Sequence, residues 1–213
     1  SLIADIEHIR QLAWTGQHAV AIDSATGAFA TPKIKPAEQM SLLDLRAESY
    51  IALGKLDLAM QDAKAMMKMG SKVAGLKVQA LNRLALVQMR TGDLKAAVKS
   101  ATTAVKANRQ SSIENRQLDA ESLFRLAEVQ FRTRQSEAAV ETAQKAIVLY
   151  QELGDDSGAG RAHWALALAY FNSNRADDSL RAAQTALELC QKAGDGYGMG
   201  NALNALSNTD LDI

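Results

Sequence analysis

The chain has 213 residues but only one cysteine, two prolines and three histidines, and its aromatic side chains amount to 5%. The lone cysteine, Cys190, excludes an internal disulfide framework and fits a reducing, cytoplasmic compartment. With Lys plus Arg and Asp plus Glu at 24 each, no overall field draws the chain to nucleic acid or to an anionic membrane, and neither is expected as a partner. Apolar runs such as 164–170 stop far short of the roughly 20 residues that span a bilayer. No basic-then-apolar leader opens the chain, which begins at Ser1 as a processed or excised piece would. His8 and His18 lie far in sequence from His163, and no His-x3-His or Cys-x2-Cys pair exists, so neither a metal nor a cofactor is expected.

What the chain does have is alanine, leucine and a period. Hydrophobic residues make up 47%, enough to bury a sizeable interior, and the composition is that of helices. Turn positions recur about every forty residues, at Gly16, Gly54, Gly92, Arg134 and Asn174, the last two standing in for glycine at some cost. After each turn small residues return at offsets of four and three: Ala21, Ala25, Ala28; Ala59, Ala63, Met66; Ala97, Ala101, Ala104; Ala139, Ala143, Ala146; Ser179, Ala183, Ala186. That spacing puts each trio on one helical face, where a second helix can approach closely. Before each turn stand the larger complements: Leu43, Ala47, Tyr50; Leu81, Leu84, Ala85; Leu123, Leu126, Ala127; Leu166, Ala167, Tyr170. Five helix pairs and a remnant result, with blocks at 1–35, 36–73, 74–113, 114–154, 155–194 and 195–213.

The series Leu81, Leu84, Ala85, Gly92, Ala97, Ala101, Ala104 resembles the tetratricopeptide repeat, in a variant with helices longer than the standard 34-residue unit allows. The Gly-Asp endings at Gly154 and Gly194 resemble that variant, which is common in bacterial signalling regulators. There are departures. The aromatic of the second helix is alanine here, the closing proline is missing, and Asp5 and His8 stand where block one should be apolar, so that block reads as a cap or a repeat in shifted register. The resemblance implies an all-α, right-handed superhelical solenoid of antiparallel helix pairs.

The stretch Gly154 to Gly160, GDDSGAG, has the look of a phosphate loop. It follows a helix rather than a strand and leads to Arg161 instead of Gly-Lys-Ser/Thr. Its echo forty residues on, GDGYGMG, marks it as architecture, with the glycines ending helices. Asp155, Asp156, Asp177 and Asp178 fall at helix starts, where the helix dipole favours them. Cys190, among Leu187, Leu189 and Ala193, reads as a packed, unreactive thiol. Met60, Met66, Met67 and Met69 form a cluster that either fills the core or offers an adaptable surface. No acid, base and nucleophile group plausibly, so an enzyme is not expected.

The resemblance also implies where a partner binds. In such proteins the first helix of each pair lines a concave groove. The matching positions are Asp44, Glu48 and Ile51, then Asn82, Arg83, Leu86, Met89 and Arg90, then Glu121, Phe124, Arg125, Glu128, Phe131 and Arg132. Arg161, Trp164, Leu168 and Phe171 follow, and the remnant adds Asn201, Asn204 and Asn208. Phe124, Phe131, Trp164 and Phe171 form an apolar stripe flanked by arginines, suited to a peptide or helix with apolar anchors and acidic neighbours. Two functions from different classes follow: a protein-interaction module of a larger signalling protein, and a sensor whose curvature changes on binding a small ligand or signal peptide. In the remnant Ala202, Leu203 and Leu206 share one face, and with no second helix to cover them the reading is of a fragment, or of self-association through Leu203 and Leu206.

Overall fold

The computed structural model describes residues 1–73, 75–110 and 115–210, and among them every regular element is a helix. The chain divides into two compact units, 1–107 and 108–213. The first holds α1 (Leu2–Trp14), α2 (His18–Ala28), α3 (Pro36–Ala52), α4 (Leu56–Gly70), α5 (Lys77–Arg90) and nearly all of α6 (Leu94–Gln110). The second holds α7 (Arg116–Arg132), α8 (Ser136–Glu152), α9 (Asp156–Asn172), α10 (Ala176–Ala193) and α11 (Gly196–Asp210). The tail beyond 210 lies outside the described residues. Among the described residues no helix is long and apolar enough to cross a membrane.

All five turn positions read from the sequence adopt the left-handed conformation, with φ of 80° at Gly16, 71° at Gly54, 86° at Gly92, 62° at Arg134 and 57° at Asn174. The reason is the hydrogen bonding of a helix end. The amide that follows each turn residue closes a wide loop onto the preceding helix: Gln17 to Leu12, Lys55 to Tyr50, Asp93 to Gln88, Gln135 to Gln130 and Arg175 to Tyr170, all at 2.8–2.9 Å. Otherwise orphaned carbonyls are thereby satisfied, and the chain reverses into the next helix.

The small-residue trios are buried as their spacing requires. Ala59, Ala63, Ala97, Ala101, Ala104, Ala139, Ala143 and Ala146 are wholly inaccessible at 0% exposure, and only Ala28 is half-buried. A larger side chain there would have to displace a neighbouring helix, an overpacking cost of about 1–3 kcal/mol. In each unit a helix packs on its sequence neighbour and each first helix also meets the next first helix: α1 with α3, α3 with α5, α7 with α9, α9 with α11. Block one is a genuine helix pair. α1 turns Ile6, Ile9, Leu12 and Ala13 inward and leaves Asp5 and His8 exposed, so its apolar face is rotated relative to the later blocks. Met66 is fully buried beside Met40, Leu43 and Ala80, with Met67 and Met69 packed on the same cluster and Met60 on a separate one; the methionines are largely core.

The glycines of GDDSGAG divide in role. Gly154 ends α8 with φ of 68°, as a terminator should. Gly158 and Gly160 instead lie inside α9, where the sequence reading of helix terminators fails. A Cβ on Gly158 would stand 2.2 Å from the Tyr150 ring, and one on Gly160 would stand 2.6 Å from Cys190 Sγ. These glycines let α8 and α10 approach the α9 backbone.

Candidate partner-binding surface

The candidate residues fall into two sets, one in each unit. In the first unit Asn82, Leu86 and Met89 on α5 are buried, which takes the two apolar ones out of an open stripe. Arg83 turns toward α3, donating from Nε to Asp44 at 2.6 Å with Glu48 at 3.9 Å, while Gln79 also donates to Asp44. These contacts hold α5 to α3. Arg90 is exposed in the last turn of α5.

In the second unit Phe124, Phe131 and Trp164 are buried, at 8%, 6% and 9% exposure. Phe131 meets the Trp164 ring edge-on at 5.6 Å between centroids, and Phe124 lies tilted to it at 6.5 Å. The expected open stripe of four aromatics is therefore corrected: three of them form the packing between α7 and α9, and Phe171 and Leu168 are half-buried. The spacing that put them on one face was sound, but α7 and α9 bring those faces together.

On this aromatic layer sits a charged one. Glu128, 2% exposed, accepts from both Arg125 and Arg132, and the two guanidiniums lie over Phe124 and Phe131 at 5.2 and 5.3 Å. Two cations share one carboxylate, so the cluster keeps a positive charge, and Arg125 Nε has no hydrogen-bond partner among the described residues. Cation–π contact and the planar fork pre-organise these arginines, as lysine could not be.

Arg161 is committed elsewhere. It donates to Asp195 from Nε at 2.6 Å and from Nη2 at 3.0 Å, and stands 5.2 Å from the Tyr197 ring. Asp195, wholly buried, also accepts from Ser157 Oγ at 2.7 Å and from the Gly198 amide at 2.9 Å. Burial alone would raise its pKa, but the Arg161 guanidinium, the Gly198 amide and the Ser157 hydroxyl hold it below the usual carboxylate value. Sequence reasoning passed over this residue, although its Gly-Asp context repeats that of Asp155. Asp155 in turn accepts from the Gly158 amide and from Gln117, an equivalent tie between α7 and the start of α9. Burial and the nearby Asp195 push the Cys190 thiol up to about 11, so the thiolate nucleophile is suppressed. Burial lowers the pKa of His163 below the usual histidine value. On α11, Asn204 is exposed, Leu203 is 51% exposed and Leu206 is half-buried.

Residues 78–111 match the tetratricopeptide repeat model. Among solved structures, Bacillus thuringiensis PlcR in complex with the peptide PapR7 and DNA superposes with a TM-score of 0.79 at 12% identity, over 95% of this chain and 74% of that one. The chain has a tetratricopeptide-like helical repeat fold. A Rap protein complexed with competence and sporulation factor matches with a TM-score of 0.68 at 14% identity, over 99% of this chain and 60% of that one. A STAND protein with a tetratricopeptide repeat sensor from Pyrococcus horikoshii gives a TM-score of 0.66 at 15% identity, over 98% of this chain and 32% of that one. These likenesses show the fold, an all-α solenoid of antiparallel helix pairs. This chain spans only part of the length of those chains. No curated protein matches the chain at the level of sequence.

Proposed function

We propose that this repeat protein is an interaction module, the regulatory or scaffolding region of a larger signalling protein, that holds a peptide or helical segment with an acidic group. The carrying observation is the Arg125–Glu128–Arg132 cluster on the aromatic layer of α7 and α9. A carboxylate of the partner meets guanidinium donors already fixed in place, so little side-chain entropy is lost on binding. Phe171 and Leu168, half-buried beside this layer on α9, supply apolar contact. The fold supports the reading, since PlcR, which is similar in fold, forms a complex with the peptide PapR7.

A second reading is a sensor whose curvature changes on binding, supported by the likeness to a STAND protein with a repeat sensor. Self-association through Leu203 and Leu206 is a third, and the exposure of Leu203 favours it.

The test is selection of peptides from a randomised display library on the whole chain, followed by affinity measurement by fluorescence anisotropy. Replacing Arg125 and Arg132 by alanine should weaken the selected peptides tenfold or more, and Leu203→Glu should leave them unchanged. Equal affinity for the double variant would sink the α7 site.

A further inference from the structure

The balanced charge of the chain conceals a division. Residues 1–107 hold 14 Lys and Arg against 9 Asp and Glu, and residues 108–213 hold 10 against 15, so the units carry +5 and −5. The two excesses differ in kind. In the second unit five of the fifteen acids pair with that unit's own cations: Glu128 with Arg125 and Arg132, Asp195 with Arg161, Asp178 with Arg175 and Arg181, Asp156 with Lys192 and Glu152 with Arg116. In the first unit the excess is lysine. Lys64 and Lys68 on α4, and Lys95, Lys99 and Lys106 on α6, are exposed, and none of them makes an ion pair among the described residues.

Their placement is regular. Offsets of four and seven align Lys95, Lys99 and Lys106 along one face of α6, a line of about 17 Å at 1.5 Å per residue. Both helices are anchored on α5, α4 by packing and α6 by the Ser100–Gln88 hydrogen bond at 2.7 Å. The surroundings narrow the partner. No large hydrophobic side chain is exposed on α6, and on α4 only Leu58 in its first turn. Neither helix contains an aromatic residue.

A protein interface needs a buried apolar or aromatic anchor, and an interfacial helix needs an apolar face to insert. Single-stranded nucleic acid is held largely by stacking on aromatic rings. A duplex backbone asks only for aligned cations, which bind by releasing condensed counterions. We propose that the α4 and α6 lysines form a sequence-independent docking surface for the phosphate backbone of double-stranded nucleic acid.

The experiment is fluorescence anisotropy of the whole chain with two labelled 20-base-pair duplexes of unrelated sequence, at 50 and 200 mM monovalent salt. Five phosphate contacts, each contributing about −0.9 to the slope of log K against log salt, predict about a 500-fold loss of affinity over that range. Replacing Lys95, Lys99 and Lys106 by glutamine leaves two contacts, and the salt effect should fall to about 12-fold. Circular dichroism checks that the variant keeps its helices. The proposal stands if both duplexes bind alike and the slope drops as stated. An unchanged slope in the glutamine variant overturns it, as does tighter binding to the single strand, to phosphatidylserine vesicles, or no duplex binding at 50 mM salt.

Discussion

Asp195 concentrates the physical chemistry of this protein in one side chain. A carboxylate with no solvent exposure is costly unless its oxygens are bonded, and here they take two guanidinium N–H groups, a hydroxyl and a backbone amide. These bonds join α9 to the start of α11. The folded-state pKa lies below the unfolded value of about 3.9, so the stabilisation is complete above that pH and is lost as the pH falls through the lower folded value. Asp195→Asn keeps the shape and removes the charge, leaving Arg161 and Ser157 facing a neutral amide. Chemical denaturation at pH 7 should show a loss of about 2–3 kcal/mol. The gap should narrow steadily below about pH 4, because the native carboxylate is then protonated as well. A gap that stays constant down to pH 3 would mean that packing, not charge, holds this junction.

At the level of elements, the helix ends are governed by backbone conformation, and that is why they were legible. A left-handed residue must end each helix for the closing hydrogen bond to form, so glycine recurs at that register and its absence at Arg134 and Asn174 stands out. Arg134, at φ of 62°, adopts a conformation that costs a side-chain-bearing residue about 1–2 kcal/mol. Arg134→Gly should therefore stabilise by about 1 kcal/mol and raise Tm by about 2–4 °C in a thermal scan, with Asn174→Gly gaining less because asparagine tolerates this region. An unchanged or lowered Tm for Arg134→Gly would show that the side chain makes up the backbone cost. The binding face was less legible, for a physical reason. Periodicity places Phe124, Phe131 and Trp164 on one side of their helices, but whether that side is open depends on how closely the next first helix approaches. Gly158 and Gly160 set the approach of α8 and α10 to α9, and their role is invisible in a pattern that equates glycine with a turn. Asp195 was missed because a Gly-Asp pair also serves as an ordinary helix start, and only packing showed that this one is buried.

At the scale of the whole molecule, the contacts within each unit run between helices adjacent or next-adjacent in sequence, so stability accumulates locally as in other repeat arrays. Charge does not follow that pattern, since a net value of zero is the balance of +5 and −5 in successive halves. Near neutral pH no net repulsion keeps copies apart, while the basic half of one copy attracts the acidic half of another. This attraction is long-ranged at low ionic strength, where the screening length is about 30 Å at 10 mM, and short-ranged at about 8 Å in 150 mM salt. Static light scattering at pH 7 should therefore show a second virial coefficient that rises as salt is added from about 10 to 150 mM. Replacing Lys95, Lys99 and Lys106 by glutamate changes the first unit from +5 to −1 and the chain from 0 to −6. Net repulsion then dominates, and the virial coefficient should start high and fall with salt. If parent and variant respond to salt with the same sign, the division of charge has no effect on how copies of this chain meet, and attraction between them comes from exposed apolar side chains such as Leu203.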